Sequence, residues 1–349
     1  MKYRIAMDAM GGDHAPQEII KGVVTAMRED DELDIILIGD EEAIKKELQS
    51  LNCKKEPHIV HTDQWITMDA SPKKALQGNP RASVILAAKL VHEGQADALV
   101  SAGNTGATVL AAAQNLQIIP GIERSGLAAI YPTAKFEHGG HGFALILDVG
   151  ATLHCTPKQL VHFAYMGSYY VSHVLGIENP RVALLNIGEE ETKGGEVLTK
   201  THRYLQDAEG LNFVGNVEGK DIPKGAADVI VTEGFVGNVV LKMMEGVSDV
   251  LRQTGKYALK KKLQWKLGLA LLSSGVKRLK KKTDYSEYGG APILGFEKLV
   301  IKAHGRSNAK AIGNAIRVAK KAVAQNVSGH IADSIVKFNE KHSLDFIDI

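Results

Sequence analysis

The sequence predicts an α/β protein, a three-layer α/β/α sandwich with a largely parallel sheet. Short apolar runs rich in β-branched residues alternate with helix-period patterns almost throughout. Glycine-rich turns directly follow many of these runs, in a chain with 35 glycines among 349 residues. A composition of 44% hydrophobic and 23% charged residues fits a folded chain with an ordinary buried core. No linker, internal repeat or low-complexity tract divides residues 1–349, so one large unit is expected.

In chain order, residues 3–7, 34–38, 98–100, 127–130, 144–147, 182–185, 213–214, 229–231 and 300–303 read as buried strands. Between them, residues 16–28, 83–92, 105–116, 159–175, 196–209 and 308–341 carry helical periodicity. Right-handed crossovers between parallel strands gather the loops after the strands along one edge, where ligands bind. From residue 257 to 282 the rhythm changes. Leu259, Leu263, Leu267, Ala270 and Leu271 form one helical stripe, while Trp265, Leu269 and Leu272 fall nearly opposite, among lysines. A helix apolar on two faces must bury both or meet something non-aqueous. With Ser273–Ser274–Gly275 as a break, residues 251–283 are expected to project as a basic, hydrophobic helical hairpin.

Charge supports that reading. The net is only +2, yet residues 252–282 hold eleven Lys or Arg and no Asp or Glu, leaving 31 basic against 40 acidic residues elsewhere, a net of −9. An acidic body opposes the broad phosphate-backbone footprint of a nucleic-acid binder. No apolar run approaches the roughly 18 residues of a membrane span. Asp8 interrupts the region where a signal peptide would be apolar, and two cysteines, Cys53 and Cys155, build no disulfide framework. A cytoplasmic protein is expected.

Three glycine turns stand out: DAMGGDHAP from Asp8, SAGNTGA from Ser101 and DVGA from Asp148. Glycine there lets backbone N–H groups approach an anion at a helix N-terminus. SAGNTGA is the strongest phosphate cradle, with Ser101, Asn104 and Thr105 converging before a helix. A tight turn needing glycine explains any one of these loops; several along one edge favour a site. The nucleotide fingerprints are missing: no GxGxxG follows the first strand, and Gly215–Asp221 is one residue short of a P-loop. NIGEEETKGG, GNVEGKD, EGFVGNVVLK and KAHGRSN add polar loops in which Lys193, Asn238 and His304 offer the charge and donors of anion chemistry. For any one of them alone a solvated loop residue or helix cap is the more common case. His138 and His141 lack a matching acidic or cysteine cluster, so no metal site is expected. Neither cysteine has a cationic context and no GxSxG elbow occurs, so no covalent acyl-enzyme is expected.

Taken together, DAMGGDHAP, SAGNTGA, LDVGA, MGSYY, ALLNIGEEETKG, VGNVEGKD, EGFVGNVVLKMMEG, YGGAPILG and IKAHG resemble bacterial phosphate acyltransferase, the acyl-ACP:phosphate transacylase of phospholipid synthesis. The resemblance runs in order from Asp8 to Gly305. It implies transfer of a fatty acyl group from acyl carrier protein to inorganic phosphate, without a cofactor. The product would pass to the membrane acyl-phosphate:glycerol-3-phosphate acyltransferase. It also implies a fold similar to phosphotransacetylases and to isocitrate and isopropylmalate dehydrogenases, a homodimer, and peripheral membrane contact through a segment placed like residues 257–282. Thr152 stands where the family usually has Asn, His154 where it has Asp, and Glu233 where Asp is common; the loop 135–142 is longer than the pattern.

That reaction needs a phosphate cradle, an oxyanion donor and a proton for the departing sulfur. On this basis Ser101, Gly103, Asn104 and Thr105 cradle phosphate, Lys193 and Asn238 stabilise charge, and His304 assists proton transfer. Asp8, Gly12 and Asp13 shape the pocket wall, and Glu218 and Glu233 join the substrate-binding set. Trp265, Leu269 and Leu272 are the expected membrane contacts. An NAD-dependent decarboxylating dehydrogenase would need clustered Asp metal ligands and several substrate-binding arginines, and the sequence displays neither. A membrane-surface scaffold leaves the glycine loops unexplained.

Overall fold

The computed structural model describes residues 2–53, 55–134, 142–261, 264–265, 268, 271–272 and 289–342. The first half comprises β1 (Tyr3–Asp8), α1 (Gln17–Glu29), β2 (Leu33–Gly39), α2 (Glu41–Ser50), β3 (His58–His61), α3 (Pro72–Gly78), α4 (Ser83–His92), β4 (Ala98–Ser101) and α5 (Thr105–Asn115). Then come β5 (Gly126–Pro132), β6 (Phe143–Leu147), α6 (Pro157–Tyr170), β7 (Arg181–Leu185), α7 (Gly195–Gln206), β8 (Asn212–Val217) and β9 (Val229–Val231). The chain continues through α8 (Gly234–Lys261), β10 (Ala291–Leu294), β11 (Leu299–Lys302), α9 (Ala309–Ala324) and α10 (Val327–Lys341).

All eleven strands join one sheet, ordered β3-β2-β1-β4-β11-β10-β5-β6-β9-β7-β8. Successive residues of a strand face opposite sides, so each apolar strand supplies two cores. Ile5 and Met7 of β1 belong to one, with buried residues of α1, α6, α9 and α10. Ala6 belongs to the other, with α4 and the packed side of α8, including Val240, Leu241 and Met244. Three layers result, as the alternation predicts.

The sheet is largely parallel, as expected, but its loops do not gather along one edge. β1, β2, β3, β4 and β11 run parallel, but β10 is antiparallel to both β11 and β5. β5 is in turn antiparallel to β6, and β6, β9, β7 and β8 are mutually parallel. The loops after β1, β4 and β11 therefore share one edge of the sheet, and those after β6, β7, β8 and β9 the opposite edge. The reason is local: only four residues separate β10 from β11, enough for a hairpin and too few for a crossover. Apolar periodicity carries no information about direction.

Two further differences concern helices. Residues 308–341 form two helices, because Asn326 turns left-handed at φ 46° between α9 and α10. The segment from residue 257 does not begin a new helix; α8 runs unbroken from Gly234 through Tyr257 to Lys261. Trp265 and Leu272 are helical and exposed beyond it, at 45% and 65% of their full accessibility. Leu269 and the expected break at residues 273–275 lie outside the described residues, as do His138 and His141. Among the described residues no helix is long and apolar enough to cross a membrane.

Candidate functional site

At the first edge, the last residues of β1, β4 and β11 stand side by side: Asp8 pairs in register with Ser101, and Ser101 with Lys302. All three are buried. The Ser101 hydroxyl donates to Asp8 Oδ2 at 2.7 Å and accepts from the Gly103 N–H at 3.0 Å; the Met10 N–H donates to Asp8 Oδ1. Asp8 and Ser101 thus lie beneath the loops and set their shape. Above them the loops touch through backbone: Asp13 N–H donates to the Gly305 carbonyl at 2.8 Å. Gly12 sits there at φ +117°, where a side chain would be strained and would press on that same carbonyl.

Asn104 caps α5, its Oδ1 accepting from the Ala107 N–H at 3.0 Å. Its amide nitrogen donates to the carbonyls of Met68 and Ala70, tying the segment before α3 to the cradle. With that side chain committed, the first backbone N–H groups of α5 and the exposed Thr105 are what this loop presents outward. His304 Nδ1 accepts from the Arg306 N–H at 3.1 Å, which places the proton of the neutral ring on Nε2. Desolvation and then the Lys302 ammonium lower its pKa, so the ring is neutral at pH 7.

At the opposite edge another buried carboxylate organises another glycine loop. Asp148 accepts from the N–H groups of Leu127, Gly150, Ala151 and Thr152 and from the Thr152 hydroxyl. The same hydroxyl accepts from the Gly234 N–H at 3.1 Å, locking the loop to the start of α8. Gly237 has no room for a side chain, since a Cβ would collide with the Asp148 carbonyl. Asn238, exposed, follows on this first turn beside Gly150. Glu233 pairs with His154 Nδ1 at 3.4 Å. Burial pushes the Cys155 thiol up to about 11, the opposite of an activated nucleophile.

Lys193 lies exposed in the loop after β7. Asn186 fixes that loop by donating to the Lys193 carbonyl, and Asn216 of β8 by donating to the Glu190 carbonyl. His202 buttresses Asn216 through Nδ1 at 3.0 Å. Glu218, next along this edge, pairs with Lys220 at 2.7 Å.

The structure therefore brings Asp8, Gly12, Asp13, Ser101, Gly103, Asn104, Thr105 and His304 to one edge. Lys193, Glu218, Glu233 and Asn238 lie at the other. α8 links the two: it starts beside Asp148, and Lys242 and Glu245 along it act electrostatically on His304. Gly234 to Glu245 is about 16 Å of helix. Among the described residues no three His, Cys, Asp or Glu side chains are grouped to hold a metal ion. Sequence reasoning did not single out Lys302, which the structure buries in register with Ser101. Its signal was a lysine closing an otherwise apolar, buried strand, Leu299–Lys302.

Comparison with known proteins matches residues 3–330 to the family described as fatty acid synthesis protein. The phosphate acyltransferase of Thermoanaerobacter pseudethanolicus is 45% identical over 98% of this chain and 100% of its own length. That of Heliobacterium modesticaldum is 48% identical over 95% of this chain and 97% of its own. In fold, the chain is similar to a phosphotransacetylase from Streptococcus pyogenes, with a TM-score of 0.62 at 18% identity over 93% of this chain and 94% of that one. A phosphotransacetylase from Staphylococcus aureus superposes with a TM-score of 0.57 at 17% identity, over 92% and 94% of the two chains.

Proposed function

This chain belongs to the phosphate acyltransferase family, and from that premise we propose that it moves a fatty acyl group from acyl carrier protein to inorganic phosphate. The observation that carries the reading onto these residues is the meeting of three glycine loops over the buried ends of β1, β4 and β11, at the N-terminus of α5. Backbone N–H groups and the helix dipole favour a small anion there.

Phosphate is an anion at pH 7 and needs positioning more than deprotonation. Its oxygen attacks the thioester carbonyl, a C–O bond forms, and charge grows on the carbonyl oxygen. The C–S bond then breaks, and the thiolate of the carrier leaves and takes the proton that the phosphate, more acidic once acylated, gives up. A donor laid along α8, between Asn238 and His304, reaches both edges. Lys193 and Asn238 supply positive charge and N–H donors to the oxyanion, and the Nε2–H of His304 gives a hydrogen bond to the departing sulfur, easing its proton transfer. Transfer is direct, in a complex holding both substrates.

Two features, one on α8 and one beyond it, support the expected assembly. Val236, Val239, Met243, Val247 and Val250 are all exposed at helical spacing of three and four, a stripe that suits a second copy of the same helix. Farther on, Trp265 and Leu272 are exposed in the basic segment, which suits reversible contact with an anionic bilayer. The protein acts in this reading as a cytoplasmic homodimer at the membrane surface, supplying acyl phosphate to the glycerol-3-phosphate acyltransferase there. The test is to supply purified protein with acyl-ACP and phosphate, with chelator present and no NAD, and to quantify acyl phosphate. Formation that depends on both substrates is expected. A dependence on NAD, or loss of acyl groups to water alone, would overturn the reading.

A further inference from the structure

Lys302 ends β11 with its side chain buried, at 5% of full accessibility. An ammonium has three N–H donors. Among the described residues its one hydrogen bond is to the carbonyl of Ala303, its own neighbour in the chain. Two donors on a buried cation thus have no acceptor among the described residues, a costly arrangement unless something else satisfies them. The charges that act on it are Asp8 from β1 and Asp13 from the loop after β1; it acts in turn on His304 of its own loop, which Arg306 also faces. Lys242 and Glu245 of α8 lie beyond His304. Its neighbours in register are uncharged, Ser101 on β4 and Ala291 on β10.

Asp8 alone does not account for this lysine. The carboxylate already accepts from the Ser101 hydroxyl and the Met10 N–H. Lys302 acts on it through charge, without a hydrogen bond among the described residues. A buried carboxylate below the cradle would also repel an anion above it. A cation in the same layer offsets that repulsion and has donors left for the anion.

We propose that Lys302 is the cation of the anion site, with its two spare N–H donors directed to the phosphate that the loops after β1, β4 and β11 cradle. This rests on the phosphate-acceptor reading of those loops and names the group that neutralises the ligand. A lysine here supplies a point charge with rotatable donors, suited to a small tetrahedral anion. Burial pushes its amine down to about 8, with Asp8 and Asp13 holding it up against that trend. The site therefore binds anions best below that pH and loses affinity above it.

The test uses the full-length protein, with inorganic phosphate and sulfate as probes, read by calorimetry and by the rise in melting temperature. Sulfate keeps its charge between pH 7 and 9 and so isolates the titration of the protein. For wild type, sulfate and phosphate binding at pH 7 and at least a fivefold loss of sulfate affinity by pH 9 are expected. Lys302→Met should weaken both probes about thirtyfold or more and flatten the pH dependence. The double variant Asp8→Asn/Lys302→Met leaves neither buried charge stranded, and it should lose binding likewise if the single variant fails to fold. Folded variants that bind phosphate like wild type, with the same pH dependence, would overturn the role of Lys302 alone. Wild-type protein that binds neither probe at any pH would overturn the phosphate-acceptor reading of these loops and the proposal with it.

Discussion

Thr152 shows how much one hydroxyl can organise. It donates to Asp148 and accepts from the Gly234 N–H, tying the loop after β6 to α8. Thr152→Val removes both and strands a backbone donor, so urea unfolding should register a loss of about 1–3 kcal/mol, while Thr152→Ser stays near wild type. Lys193 and Asn238 have the opposite profile, exposed and offering their side chains to solvent. Replacing either with Ala should lower turnover by about 10²–10³ fold with little change in melting temperature. Normal turnover in both folded variants would remove them from the chemistry. At this scale the sequence marks candidates without showing what their side chains touch. Asp8 and Ser101 were singled out as candidates, and the structure buries both beneath the loops, where they hold loop backbone. Side-chain commitments such as those of Asn104 depend on partners 34 and 36 residues away, which no local pattern encodes.

Among the elements, α6 carries a buried histidine with a clear pH signature. His162 contacts Asn339 of α10 through Nε2 at 3.2 Å and meets the edge of Phe338. Burial lowers its pKa from 6.5 to about 4. The unfolded chain then binds a proton that the folded state refuses, so stability falls as pH drops from 6.5 to 4, by up to about 3 kcal/mol from this residue. His162→Leu should flatten that part of the stability–pH curve in denaturant titrations; an unchanged slope would contradict the assignment. On α8, Val239→Asp/Met243→Asp should give a monomer by sedimentation if the exposed stripe is a dimer face. Trp265→Glu/Leu272→Glu should lose anionic vesicles while staying dimeric. Most strands were legible because their apolar runs are short and β-branched. β3, with exposed histidines at both ends, and β10, hidden among glycines and a proline, were not. α8 was missed because its first turns read as another glycine loop; Gly234 and Gly237 serve close packing on Asp148 and Thr152 instead.

For the whole molecule, the fold class follows from alternation, but the reversal of half the sheet does not, because strand direction is decided by connections such as the β10–β11 hairpin. That reversal divides the candidate residues between two edges and makes α8 the structure that joins them. In the proposed mechanism phosphate itself attacks the thioester, with no acyl group first parked on the protein. Rapid mixing of the enzyme with acyl-ACP in phosphate-free buffer, followed by quantification of free carrier thiol, tests this most directly. The account predicts no release beyond background until phosphate is added, then one thiol freed for each acyl phosphate formed. A burst of about one thiol per chain before phosphate arrives would contradict it.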